Sequence, residues 1–248
     1  MSNRIKLMGC YIDNLTMEET LCQIERLIRS GECHQHVVVN VDKIVKANKD
    51  NKIKEIINTC SLINVDGMPV VWASKVLGVP LKQRVAGIDL FEELMRWSAE
   101  EKLNVYLLGA KEEIVLSTKR KYEAIYNHKN IVGYRNGYWS DEDELSVVNH
   151  IRDAAPDLLF VAISSPKKEE FLGKYQKIME VPFAMGVGGT FDVVAGKVRR
   201  APIWMQQSGL EWFYRFLQEP RRMFRRYFID DMKFISLLFN ELVKRNKS

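Results

Sequence analysis

The sequence predicts an α/β fold, an open and mostly parallel sheet with helices on both faces followed by a C-terminal helical appendage, and three observations lead there. Apolar runs of strand length recur along the chain with helical segments between them, the rhythm of a parallel sheet buried on both sides. The last run passes through three glycines into a short apolar helix start, Gly186-Val-Gly-Gly-Thr-Phe-Asp192. Such a strand, turn and helix junction belongs to doubly wound, Rossmann-like sheets. Beyond residue 200 the chain turns basic and aromatic. From Lys197 to Ser248 there are 12 Lys or Arg against 5 Asp or Glu, and 10 of the 25 aromatic residues. Within an overall charge of +5 the first 196 residues therefore carry −2, so the basic character belongs to the tail. This division predicts a core over residues 1–200 and an appendage over residues 201–248.

In chain order, strands are expected at residues 6–12, 36–41, 62–65, 105–108, 130–133, 158–163 and 181–187. Thr16 followed by Glu19 forms a capping box that opens a helix running to about Arg29. Residues 88–99 and 111–126 fit a 3.6-residue period, and 141–154 does so behind the cap Ser140. In the tail, Pro220 can occupy the first turn of a helix, where its missing N–H costs little.

Composition is that of a soluble globular chain, 46% hydrophobic and 28% charged. The N-terminus lacks the apolar centre of a signal peptide, and no run approaches the roughly 20 apolar residues of a membrane-spanning helix. Cys10, Cys22, Cys33 and Cys60 show no C-x-x-C spacing, which suits reduced thiols in a cytosol. Cys33-His-Gln-His36 lacks a second ligand pair, so no metal site is expected there. Asp141-Glu-Asp143 invites comparison with an acidic metal-binding triplet but is read as the negative first turn of a helix.

In open sheets ligands gather outside the carboxyl ends of the strands. Four places there hold polar chemistry: Asn40, Asp66, Ser165-Pro-Lys-Lys168-Glu169, and the turn with Gly186, Gly188 and Gly189. The glycine spacing is neither G-x-G-x-x-G nor a P-loop. It is read either as a plain connection or as a cradle in which backbone N–H groups meet a diphosphate, with Asp192 beside the ribose hydroxyls. Asp66 is either the cap of a helix starting near Met68 or a general base. Arg84 is a solvated cation or a ligand of phosphate and sugar oxygens. Tyr138, beside Trp139, covers a core edge or stacks on a base. On a helix after Pro220, Arg222, Arg225 and Arg226 fall within one turn, with Phe224 and Phe228 near the opposite side. That pattern describes a solvated basic face, or arginines on anionic oxygens with aromatics at a bilayer.

Taken together, Asp66-Gly-Met-Pro, Arg84-Val-Ala-Gly-Ile-Asp-Leu, Ser165-Pro-Lys-Lys-Glu, the stretch from Gly186 to Pro202, and Gly209-Leu-Glu-Trp-Phe-Tyr-Arg-Phe-Leu-Gln-Glu-Pro-Arg-Arg222 resemble the WecG/TagA/CpsF family of bacterial glycosyltransferases. The resemblance implies an inverting, metal-independent and cofactor-free transfer of N-acetylmannosamine, or a related sugar, from a UDP-sugar to a polyprenyl-diphosphate-linked N-acetylglucosamine. It implies peripheral attachment to an anionic membrane surface at the inner face of the cell membrane, in teichoic acid or polysaccharide assembly, and a possible homo-oligomer. Asp66 matches the family's proposed base, Asn40 and Arg84 its sugar pocket, the glycine turn and Asp192 its nucleotide site, with Tyr138 beside the base. Arg215, Arg222 and Arg225 match appendage arginines that stabilise the leaving diphosphate. Lys168 stands where the family usually has Gln, and Val38 and Ala86 where threonine is common. Three exchanged pocket groups leave room for a different UDP-hexose as donor. Two other classes compete. A nucleic-acid binder explains the basic tail but leaves the glycine turn and Asp66 idle, so no nucleic acid is expected as partner. A nucleotide-cofactor oxidoreductase is disfavoured by the glycine spacing.

Overall fold

The structure, a computed structural model, describes residues 4–127, 129–220, 224 and 231–245. The chain opens with a hairpin of β1 (Arg4–Leu7) and β2 (Cys10–Asp13). Here one strand over 6–12 is expected, and the difference lies in Met8 and Gly9, whose φ angles of 45° and 84° make the tight two-residue turn favoured in hairpins. Arg4 closes the open end by donating to both Asp13 oxygens at 2.8 Å.

The remaining strands are β3 (His34–Val39), β4 (Leu62–Val65), β5 (Val105–Gly109), β6 (Ile131–Arg135), β7 (Leu158–Ala162) and β8 (Phe183–Gly186). They form one six-stranded, all-parallel sheet in the order β4-β3-β8-β7-β5-β6. The hairpin seals the β4 edge, because Asp13 Oδ2 accepts from the Ile63 amide at 2.8 Å.

Between the strands lie α1 (Met17–Arg29), α2 (Val41–Lys49), α3 (Asn51–Thr59), α4 (Met68–Val76), α5 (Gly87–Glu100), α6 (Glu112–Tyr126), α7 (Glu144–Asp153), α8 (Lys167–Met179) and the single-turn α9 (Thr190–Val194). The capping box is formed: the Glu19 amide donates to Thr16 Oγ1, and Thr16's amide to Glu19 Oε2. Ser140 precedes α7 with its Oγ accepting from the Asp143 amide, so the acidic triplet forms the turn that enters the helix.

Strand parity sorts side chains although most residues of the parallel sheet are apolar. Val38, Leu107, Leu158 and Phe160 enter one core with α1, α5, α6 and α9. Val37 and Val39 enter a second with the hairpin and α2 to α4, and Tyr106, Leu108 and Leu159 a third with α7 and α8. The tail supplies α10 (Ile203–Gln207), α11 (Glu211–Gln218) and α12 (Asp231–Arg245). Phe234 of α12 is buried in the second core, and Arg245 donates to the Leu77 carbonyl at 2.6 Å.

Chain direction creates the cleft. From β3 the chain passes through α2 and α3 to β4 on one side, whereas β8 arrives from β7 on the other. The carboxyl ends of β4, β3, β8 and β7 therefore lie side by side around a topological switch point.

Candidate active site at the carboxyl edge

Each of those four strand ends delivers one sequence-predicted position. Asn40 follows β3 and caps α2, its Oδ1 accepting from the Lys43 amide at 3.0 Å. Asp66 follows β4, its amide donating to the Val39 carbonyl. Gly67, at φ 102°, takes the N-cap of α4 without a side-chain bond, so the capping role open to Asp66 in the sequence is not used. The Asp66 side chain is 37% exposed and its pKa is raised. Burial by surrounding protein is the main cause, with Glu211 adding to it, against Arg84, Arg215 and the Gly87 amide, which favour the charged form.

Arg84 lies between two carboxylates: its NH1 is 3.1 Å from Glu211 Oε2 and 3.9 Å from Asp66 Oδ1. Glu211 in turn accepts from Arg215 at 3.2 Å. Sequence reasoning missed Glu211. Its one local signal is the four-residue spacing to Arg215 at a helix start, since Arg84 is distant in the chain.

Helix α11 reaches this position for local reasons. Gly209 has φ +77°, and a Cβ there would lie 2.9 Å from Met68 Cγ and 3.2 Å from Trp72 Cζ2, so only glycine lets the chain rest on α4. Gln218 exchanges two hydrogen bonds with the Arg199 backbone. Arg200 pairs with Asp89 at 2.5 Å, tying the linker to α5. Arg222 and Arg225 lie outside the described residues.

At the β8 end the three glycines differ in their surroundings. A Cβ on Gly186 would meet Lys168 Cδ and Cε at 2.5 Å, so its bareness admits the lysine stem. Gly188 takes φ 55°, and Gly189 opens on free space. Asp192 stands in α9, 3.2 Å from Lys197 Nζ. Lys168 is buried beneath the bend, and burial foremost, with Lys43 nearby, lowers its pKa to about 8. Its carboxylate neighbour Glu169 is 3.6 Å from Lys168 and 2.9 Å from Lys43. Burial would raise the Glu169 pKa, but the two lysines outweigh it and hold it at about 2. This Lys43–Glu169–Lys168 group under the cleft was not anticipated from the sequence.

Tyr138 is 69% exposed in the loop after β6. That loop turns back over the carboxyl ends of β5 and β7: the Gly137 amide donates to the Ala110 carbonyl at 2.8 Å, and a Cβ on Gly137 would lie 2.7 Å from Ile163 Cγ2. Among the described residues no group of three or more His, Cys, Asp or Glu side chains is arranged for a metal ion. Three of the four imidazole nitrogens of the Cys33–His36 corner are used otherwise: His34 meets Ser30 and Ser61, and His36 Nε2 meets Asn64.

Residues 5–248 match the family described as the glycosyl transferase WecG/TagA/CpsF family. The chain is 35% identical over 184 residues to an N-acetylglucosaminyldiphosphoundecaprenol N-acetyl-beta-D-mannosaminyltransferase of Bacillus subtilis, covering 74% of this chain and 71% of that protein. It is 34% identical over 186 residues to the protein of the same name from Bacillus spizizenii, covering 75% and 72%.

Proposed function

Starting from a chain that belongs to the WecG/TagA/CpsF family and is a glycosyltransferase, we propose that it moves N-acetylmannosamine, or a related hexose, from a UDP-sugar to a polyprenyl-diphosphate-linked N-acetylglucosamine, with inversion and without a metal. The observation that carries this reading is the state of Asp66. It is a solvent-reachable carboxylate of raised pKa at the carboxyl end of β4, relieved of capping duty and flanked by Arg84 and Arg215. Such a group can take the proton from the acceptor hydroxyl as that oxygen attacks the anomeric carbon. From β4 to β8 is two strand spacings, about 10 Å, which leaves room for a sugar between this base and a diphosphate at the glycine bend. Asn40 and Arg84 orient the sugar. The bend, Asp192 and Lys168 face the nucleotide end. Arg215, with Arg222 and Arg225, supplies fixed positive charge to the departing diphosphate, which a reaction without a metal needs.

The appendage also supports attachment to the membrane that holds the lipid acceptor, at its cytoplasmic face. Ile203, Trp204, Phe213 and Leu217 of α10 and α11 are exposed, beside the basic excess of the tail. No helix among the described residues is long and apolar enough to cross a membrane.

The test is transfer to a short-chain lipid-diphosphate acceptor by Asp66→Asn, run with a panel of UDP-hexoses so that donor choice is read in the same assay. Turnover should fall by about 10²- to 10⁴-fold, the usual worth of a general base, with UDP affinity retained. Near-normal turnover would remove Asp66 from the mechanism.

A further inference from the structure

Glu211 sits where the appendage meets the core. Its two carboxylate oxygens are divided between cations from different parts of the chain, Oε2 toward Arg84 at 3.1 Å and Oε1 toward Arg215 at 3.2 Å. The side chains of Glu211 and Arg84 are each only 15% exposed, so solvent screens this contact less than an ordinary surface pair. Arg84 thereby stands at hydrogen-bond distance from Glu211 but beyond it from Asp66, at 3.9 Å. The contact is placed by the close seat of Gly209 on α4 and by the Gln218–Arg199 bonds.

We propose that Glu211 is a positioning residue for the transfer reaction: it draws Arg84 off Asp66 and aligns Arg215, leaving the Asp66 carboxylate free to accept a proton while both guanidinium groups face the cleft. This rests on Asp66 being the base. A carboxylate held tightly by an arginine is a poor base, since the pair favours its ionised form by one to three pK units, on the order of 10- to 1,000-fold in proton affinity. Among the described residues, the charged groups facing Asp66 are Arg84 from the segment before α5, and Arg215 and Glu211 from α11, with the Gly87 amide at the start of α5. Glu211 offsets the two arginines twice, by its own negative charge and by holding Arg84 away. The raised pKa of Asp66 agrees with that balance.

Glu211→Gln keeps size and hydrogen bonding but loses the charge. Arg84 should then close on Asp66. The acid limb of the kcat/KM against pH profile should move to lower pH by about one unit, with kcat at neutral pH falling roughly tenfold and UDP affinity changing less than twofold. Glu211→Asp, which retains the charge, should keep the limb near its wild-type position. A fall in kcat with the limb unmoved, or equal loss in the Gln and Asp variants, would mean that Glu211 only props α11, and would overturn the proposal. Failure of the base reading is seen separately. If Asp66→Asn turns over normally the base is elsewhere, whereas an inactive Asp66→Asn beside an unmoved Glu211→Gln profile overturns only the role of Glu211. Circular dichroism of each variant confirms that the fold compared is the same.

Discussion

His36 shows how much one buried side chain can make stability depend on pH. It is 1% exposed in β3, with Nε2 2.9 Å from Asn64 Oδ1, while Asn64 Nδ2 donates to Thr20 Oγ1. That network places the proton on Nε2 and leaves Nδ1 without a partner among the described residues. Burial foremost, with help from Lys43 and Lys168, lowers the pKa from 6.5 to about 4, although the Asn64 bond and Asp13 oppose the shift. The folded protein thus resists a proton that the unfolded chain accepts. Stability is full above pH 6.5 and falls as pH drops from 6.5 toward 4, by up to about 3 kcal/mol at 1.36 kcal/mol per unit. Glu169 acts in the same direction lower down. Its carboxylate, held at about 2, contributes stability above 4.5 that is lost as pH falls toward 2. His36→Gln keeps an amide donor for Asn64 and gains no charge. Its urea midpoint should therefore stay level between pH 6.5 and 4.5, where the wild-type midpoint falls; a level wild-type curve would contradict the assignment.

Among elements, α11 links the fold to the proposed chemistry most directly, because it carries Glu211 and Arg215 and is seated by one glycine. Gly209→Ala places a Cβ at positive φ and within 2.9 Å of Met68 Cγ, a strain of about 1–3 kcal/mol. Lifting α11 relieves that strain at little cost to the sheet. The expected outcome is a kcat/KM lower by tenfold or more with a melting temperature down by no more than about 4 °C. An unchanged kcat/KM would separate α11 from catalysis. Much of the element pattern is legible in the sequence, because parallel strands are continuous apolar runs; β4 at 62–65 has the expected bounds. Helices α2, α3 and α8 are not among the helices expected from the sequence. The first two are nine-residue helices divided only by Asp50, too short for a clear period, and the expected strand at 36–41 overran Asn40 into α2. The placement of Asn40, Asp66 and the glycine bend at strand ends is legible because each follows an apolar run of strand length. Glu211 and the Lys43–Glu169–Lys168 group are not, since each is defined by partners that only the folded chain brings near.

On the scale of the whole molecule, the tail joins the core on one side and, in the function proposed above, a membrane surface on the other, so removing it from Ala201 onward should disturb two properties at once. Helix α12 returns to the core, with Phe234 5% exposed and Leu237, Leu238 and Leu242 packed beside it. Helices α10 and α11 instead present apolar residues outward, Ile203 71% and Trp204 62% exposed, with Leu217 alongside. Exposed apolar side chains within a basic tail are costly to leave in water and gain where an anionic lipid surface takes them up. The two contacts can be separated by substitution. Phe234→Ala should cost about 3–5 kcal/mol of stability, as for other buried phenylalanines, and leave vesicle binding intact well below the melting temperature. Ile203→Ser, Trp204→Ser and Leu217→Ser combined remove surface that each membrane-buried side chain would make worth about 1.5–3 kcal/mol. That triple variant should keep its melting temperature and UDP affinity, yet sediment with phosphatidylglycerol vesicles at least tenfold more weakly. It should lose transfer to a vesicle-embedded acceptor while retaining transfer to a water-soluble, short-chain one. Sedimentation at the wild-type level would mean that these helices face something other than lipid, and would leave the basic residues of the tail to account for any binding by charge alone.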